Sequence, residues 1–552
     1  VNLIGEKKLL KTIYGENELQ LTTQVLVIGG GPAAAWAAWA AASQGVEVII
    51  VDKGFLGTSG AAAASGNGIM APSPENWEKV LWDRYQSGKN LANLRWIERV
   101  IEKTWLSLPL VEEWGYRFPK ENGESVRQSY YGPEYMRVMR KNLLRVGVQV
   151  LDQSPALELL LAEDGSVAGA RGVQRQNHRT YTVRAGAVVL ANGGCAFLSK
   201  ALGCNTNTGD GLLMAVEAGA ELSSMEASNH YAISTGFNAT VTRGVPFIWA
   251  TYTDEAGNNL GSGYINGRRD PSFLPKALLK GPVYARLDRA TEEVKSVIEK
   301  SHFIAFLPYK KAGIDPYTER VPVTMVLEGT VRGTGGIRIV DDSCGTKVPG
   351  LYAAGDAASR ELLAGLASGG GGPNAAWAIS TGQWAGVGAA VFAKSLGTHV
   401  HQRVVHPTGQ VGLRWHSFGE TFDSEAIVRD VQAEVFPLEK NYLRSEQGLV
   451  NSLTALESLW KQVQSNPKQD TVRDVEFSRR AASLTAVARW SYFSALNRRE
   501  TRSEHIRVDY PQTDPDQRYY QATGGLEKLW VRRDWIRDEI AIPPVLTTQA
   551  AA

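Results

Sequence analysis

Three glycines at 29–31 stand between an apolar run, Val25-Leu26-Val27-Ile28, and an alanine-rich stretch that opens at Pro32. In such a setting Gly29 permits a tight turn, Gly31 lets backbone approach a pyrophosphate, and small Ala34 lets a helix pack closely on the preceding strand. The N–H groups at the start of that helix then face the phosphates. Asp52 ends a second apolar run, Val46 to Val51, about 20 residues after Gly31, where an acid accepts hydrogen bonds from an adenosine ribose. The chemistry expected is the grip of a dinucleotide; the plainer alternative is a strand-turn-helix without a ligand. Two other residues can move or hold charge. His230, in Asn229-His230-Tyr231, either binds an anionic group and shuttles a proton near neutral pH or is a hydrogen-bonded structural histidine. Arg332 either offers its charge to an oxyanion or pairs with Glu328. Arg243, Trp249 and Tyr252 suit an aromatic, anion-binding pocket, or core.

The elements that must position these groups are legible from periodicity. A strand at 25–28, a helix to about Gln44 and a strand at 46–51 make a βαβ unit. Val148–Leu151 and Ala156–Leu161 read as successive strands before an Asp164-Gly165 turn; Ala187–Leu190 is a buried strand running into Gly193-Gly194. Gly350–Ala354 is a strand ending in Gly355-Asp356, followed by a glycine-rich loop, Ser368 to Asn374, and a helix. Together these segments resemble FAD-dependent oxidoreductases of the glutathione-reductase-like Rossmann group. That resemblance implies FAD as cofactor and Asp356 as the acid that holds the ribityl chain; the alternative is that Asp356 caps the following helix.

Four stretches narrow the resemblance, over nearly the whole chain, to the flavoprotein subunits of the fumarate reductase, succinate dehydrogenase, L-aspartate oxidase and adenylylsulfate reductase superfamily. Ser59-Gly60-Ala61-Ala62-Ala63-Ala64-Ser65-Gly66 is similar to its small-residue loop beneath the isoalloxazine. Asn207-Thr208-Gly209-Asp210-Gly211, with Met225-Glu226, is similar to its turn and helix beside the flavin. Arg269-Asp270, ahead of Gly281–Tyr284, resembles the capping segment that supplies the active-site arginine, with Arg268 as the other register; the alternative is a solvated loop arginine paired with Asp270. Arg499 to Pro511 resembles the motif of the C-terminal helical domain. The resemblance implies catalytic roles for Arg269, His230 and Arg332. It implies cofactor contacts from Gly29, Gly31, Ala34, Asp52, Lys53, Ser59, Gly60, Ala64, Ser65, Gly66, Ala156, Leu157, Ala191, Asn192, Gly193, Asp210, Gly355, Asp356, Asn374 and Ala375.

The departures matter as much. No histidine precedes His178, so the flavin is expected to be held without a covalent bond. The family's substrate histidine before Gly-Gly-Ile aligns with Val331, and its substrate arginine falls in the loop Gly369–Asn374, which has none. Each missing charge-assisted bond to a carboxylate forfeits roughly 1.5–3 kcal/mol. The serine- and glycine-rich loop is closer to the adenylylsulfate reductase alpha-like branch, which implies a small anionic substrate, sulfur-containing ones included, and a ferredoxin-like iron–sulfur partner subunit. An L-aspartate-oxidase-like or fumarate-reductase-like enzyme, or a flavin electron-relay subunit with a degenerate site, are the alternatives.

Composition bounds the rest. Lys plus Arg number 59 against 57 Asp plus Glu, scattered, so nucleic acid is not an expected partner. Cys195, Cys204 and Cys344 lack ligand spacing: the chain cannot hold an iron–sulfur cluster on its own cysteines, and no metal site is expected. Without a signal-peptide-like or membrane-spanning run, a cytoplasmic location is expected. The expected architecture is α/β: a Rossmann-like FAD-binding domain at 1–230 and 325–397, interrupted by an α+β capping domain at 231–324. A polar stretch from His399 to Pro407 follows, then a mainly helical C-terminal domain at 420–552 whose cluster of Trp530, Arg532, Arg533, Trp535 and Arg537 either docks a partner or pins the segment to the core.

Overall fold

The computed structural model describes residues 18–536, apart from 122, 238–243, 266–267, 369, 398–402, 414–422 and 465–470. Arg243, Arg537 and the start of the His399 stretch lie outside the described residues.

The glycine turn belongs to an eight-stranded sheet. Strand Leu19–Ile28 lies between Val48–Val51 and Arg179–Leu190, all parallel, with Gln149–Leu151 beyond Val48–Val51. Val25, Leu26 and Val27 are fully buried, as an unbroken apolar run must be in a parallel sheet covered on both faces. The long strand Arg179–Leu190 changes partners along its length. Its first half pairs antiparallel with Val167–Gln174, and its end pairs parallel with Leu351–Ala353. This brings the distant Gly355-Asp356 beside the first glycine turn. At the other edge Ala156–Ala162 pairs with Val167–Gln174 and with Val405–Pro407, so the last residues of the expected connecting stretch are an edge strand.

Two helices rich in small residues, Pro32–Ala42 and Gly371–Ser395, cover one face. A Cβ on Gly382 would lie 2.5 Å from the Ala33 carbonyl oxygen, and one on Gly386 would strike that of Ala37, so small residues set the distance between the helices. These are buried helices, with Trp36 and Trp377 fully enclosed; among the described residues no helix is long and apolar enough to cross a membrane.

The chain leaves this domain at His230 into a five-stranded antiparallel cap sheet, ordered His230–Thr235, Val321–Gly329, Val283–Arg286, Thr251–Asp254, Asn259–Gly261. The strand Val321–Gly329 runs through the boundary expected at 324/325, and His230 pairs with Gly329. A hydrogen-bonded strand does not divide there, so the cap's edge falls at His230 and Gly329.

The C-terminal region is helical to Asn497: Ser424–Val435, Leu438–Asn441, Glu446–Gln464 and Val472–Asn497, the last opened by a capping box between Thr471 and Asp474. Beyond it the hairpin Tyr519–Gly524/Trp530–Trp535 joins Leu222–Ser223 and Gly336–Ile337 in a four-stranded sheet, an element the helical expectation lacked. Within the motif Arg499–Pro511, Glu500, Arg502, His505 and Arg507 are buried. Glu500 accepts from Arg498 and Arg502, each at 2.8 Å, and Arg498 also reaches Glu226 at 2.8 Å. His505 lies between an Arg444 nitrogen and the Arg498 carbonyl, and burial and surrounding arginines push it well below its ordinary pKa. Removing one member of such a network strands a buried charge, costing about 3–5 kcal/mol.

Candidate functional site

A cleft opens at the C-terminal ends of the parallel strands, where ligands sit in open α/β sheets. It gathers Gly29 and Gly31 from the first turn, Asp52 and Lys53 from the second strand, and Ser59, Gly60 and Ser65 from the following loop. Ala156, Ala191, Asn192, Gly193, Asp210, Gly355, Asp356, Asn374 and Ala375 complete the expected residues that line it.

The local geometry explains the residue types. Gly29 has φ +124°, and a Cβ there would overlap the Ala191 carbonyl, so only glycine fits. A Cβ on Gly30 would lie 2.5 Å from the Asp52 carboxylate, which therefore packs over the turn. Around the site of a Gly31 Cβ there is open space, and Gly31 caps the helix Pro32–Ala42 without a side chain of its own. The helix N-terminus is thus open on this side, as the approach of a phosphate requires.

Asp52 is raised above the usual carboxylate range by burial, against the pull of a 2.6 Å bond from Ser59 Oγ. Asp210 is also buried, but Lys53 at 2.7 Å overrides the burial and holds it low. Asp356 is raised by burial and drawn back by Arg360, whose guanidinium lies 2.6 Å away. Arg360 itself is 1% exposed and donates to the carbonyls of Thr330 (2.9 Å), Val331 (3.2 Å) and Gly333. It was missed from sequence; its only signal was the i,i+4 spacing from Asp356.

FAD fits this donor set. Asn192, Asn207 and Asn374 each hold a buried side-chain oxygen with no protein partner, and all three line the cleft. Buried amide oxygens left unsatisfied are rare in native proteins; three around one cleft ask for a ligand that donates, as ribityl hydroxyls and a flavin ring N–H do. Asn207 was not singled out from sequence as a contact.

Four expected cofactor residues do not line the cleft. Ala34 is fully buried against the sheet, one step inside the helix. Leu157 alternates away from Ala156 on its strand, packs with Val173, Leu413 and Val475, and gives its carbonyl to Arg479. Gly66 pairs with Tyr131 and faces Phe303 and Ile304 of the cap. Ala64 stands in the loop beside it without lining the cleft.

A second cavity lies between the cap and the FAD-binding domain. Arg332 and Gly371 line both cavities. Arg332 Nε is 3.2 Å from Glu328, so the ion pair and the position facing both cavities hold together. His230 also lines the second cavity, with Nδ1 3.1 Å and Nε2 3.9 Å from Glu504 and Glu328 respectively. Tyr252 lines it too, whereas Trp249 does not. Arg268–Arg269 form a two-residue strand paired with Tyr264–Ile265. Their side chains lie outside the described residues, but Gly263 and Asp270, which bracket this hairpin, both line the cavity. Val331 lines the first cavity and is buried.

Comparison with known proteins agrees with this geometry. Residues 24–231 match the FAD binding domain family, and residues 439–537 the fumarate reductase flavoprotein C-terminal family. The fumarate reductase (CoM/CoB) chain of Methanothermobacter marburgensis is 25% identical, over 89% of this chain and 95% of its own. L-aspartate oxidase from Bacillus subtilis is 27% identical, over 89% and 92%. Among solved structures, FrdA of E. coli quinol fumarate reductase superposes with a TM-score of 0.77 at 20% identity, covering 94% of this chain and 97% of that one. Adenylylsulfate reductase from Archaeoglobus fulgidus gives 0.73 at 16%, covering 95% and 97%.

Proposed function

This chain belongs to the flavoprotein superfamily of fumarate reductase, L-aspartate oxidase and adenylylsulfate reductase, and from that premise we propose that it exchanges a hydride or electron pair with a small anionic metabolite seated in the cap cavity. The chain is an FAD-dependent oxidoreductase. When bound, FAD supplies the electron-pair donor or acceptor at its N5. The protein's part is to bind, orient and protonate.

The observation that carries the reading is the position of Arg332 at the junction of the two cavities. Glu328 engages its Nε, which leaves the terminal nitrogens to take an anionic group of the substrate at the cleft's mouth. Arg269, on the hairpin bracketed by Gly263 and Asp270, delivers the proton to the substrate atom that does not take the hydride. His230, held by Glu504, orients the substrate from the cap side. We assign the electrons to an external donor: all three cysteines are free and buried, and an iron–sulfur partner docking at the edge strand Trp530–Trp535 fits its arginines and the 58% exposed Trp535.

The test is Arg332→Gln in the FAD-loaded protein. Reoxidation of the dithionite-reduced, anaerobic holoprotein by a panel of unsaturated mono- and dicarboxylates should show the best acceptor losing about 10- to 100-fold in kcat/KM, with FAD content unchanged. An unchanged kcat/KM removes Arg332 from the site.

A further inference from the structure

The buried turn that carries Arg332 is pinned from two sides. On its N–H side Thr330 donates to the Cys195 carbonyl at 3.0 Å, Gly333 to that of Gly329 at 2.8 Å and Thr334 to that of Ala227 at 2.9 Å. The fit there is close: a Cβ on Gly329 would overlap the Cys195 carbonyl, and one on Gly333 would lie 2.4 Å from that of Ala227. On the other side the carbonyls of Thr330, Val331 and Gly333 all turn toward one nitrogen, Nη2 of Arg360. Val331 also accepts from Asn374 Nδ2 at 3.3 Å, and the Arg360 backbone N–H donates to the Thr334 carbonyl at 2.9 Å.

Buried carbonyls that converge on one point repel one another unless a donor, best a charged one, sits between them. Neutralising Asp356 takes only one arm of the guanidinium: Nη1 meets the carboxylate at 2.6 Å, and Nη2 is given over to the turn. The planar fork thus joins the acid of the flavin cleft to the backbone around Arg332. Thr330 and Val331 precede that residue and Gly333 follows it, so the clamped carbonyls bracket it. Arg360 itself lines neither cavity, and Arg332 lines both. We propose that Arg360 is a positioning residue: by clamping the carbonyls on both sides of Arg332 it fixes where that guanidinium stands between the cavities, and so sets the affinity for an anionic substrate that it never touches. The proposal rests on the reading of Arg332 as the anion's anchor.

The test uses the protein at saturating FAD with sulfite as the anion, its dissociation constant read from bleaching of the flavin's visible band. Arg360→Lys keeps a counter-charge for Asp356 but gives up the fork. It should weaken sulfite about tenfold, as a small displacement of Arg332 implies, while FAD affinity, read by fluorescence quenching, changes less than about threefold. Arg332→Gln should weaken sulfite by a similar factor, and in that background Arg360→Lys should add less than about twofold, since nothing is left to position. Unchanged sulfite affinity in Arg360→Lys, losses that multiply in the double variant, or a parallel collapse of FAD affinity overturns the positioning role and leaves Arg332 in place. Sulfite bound equally well by Arg332→Gln overturns instead the anchor on which the proposal rests, and a wild-type flavin that sulfite does not bleach overturns both. If Arg360→Lys does not fold, Arg360→Gln combined with Asp356→Asn, which removes both charges together, is compared with Asp356→Asn alone. A loss of about tenfold in sulfite affinity is expected there too, and equal affinity overturns the proposal.

Discussion

Replacing Asp356 by asparagine separates its pairing with Arg360 from the ribityl contact proposed for it. The substitution keeps the side chain's shape and its ability to accept a hydrogen bond but removes the charge. In the flavin-free protein the Arg360 guanidinium, 1% exposed, then keeps acceptors in the amide oxygen and the carbonyls of Thr330, Val331 and Gly333 but loses its counter-charge. Breaking a buried ion pair from one side costs about 3–5 kcal/mol. Here Asp356 is 23% exposed toward the cleft and three carbonyl acceptors remain, so about 2–3 kcal/mol is expected. In the loaded protein a charge-assisted bond to the ribityl chain is lost as well, about 1.5–3 kcal/mol, or 10- to 150-fold in the FAD dissociation constant. The first effect is read from urea unfolding of the apoprotein. The second is read from quenching of FAD fluorescence on titration with folded apoprotein at a urea-free, low temperature where both forms are native. Wild-type FAD affinity in Asp356→Asn would refute the ribityl assignment; loss of affinity with unchanged apoprotein stability would refute the Arg360 pairing.

Two further outcomes follow, one from a buried carboxyl group and one from the loop at 59–66. Glu361, accepting from Ser223 at 2.6 Å and Ser224 at 2.5 Å, is pushed by burial from 4.5 to about 7. The native state therefore keeps a proton that the unfolded chain releases, so this residue's contribution to stability falls as pH rises from about 4.5 to 7, by up to about 3 kcal/mol. Glu361→Gln should flatten the pH dependence of the unfolding midpoint across that window, and an unaltered slope would contradict the assignment. Acid precipitation of the yellow protein should leave FAD in the supernatant, since no histidine precedes His178 to bond it from the loop at 59–66; colour that stays with washed pellet would show a covalent link.

Where contact depends on local spacing, the sequence was a sufficient guide. The glycine turn, the helix after it and Asp52 lie within one βαβ unit, whose geometry follows from a few residues of turn and two apolar runs. The late strand ending in Gly355-Asp356 was legible for the same reason, as was the helical character of the C-terminal region up to Asn497. Leu157 was misplaced because strand alternation fixes which residues share a face but not which face meets the cleft.

Only the tertiary structure decided what lies far apart in the chain. The pairing of Arg360 with the turn at Thr330–Gly333, the convergence of Asn192, Asn207 and Asn374, and the arginine network of the C-terminal motif join segments separated by many residues. Local pattern records the backbone's preferences, whereas a buried charge or an unsatisfied amide is defined by its neighbours in space, and those are set by how the sheets and the cap close over one another.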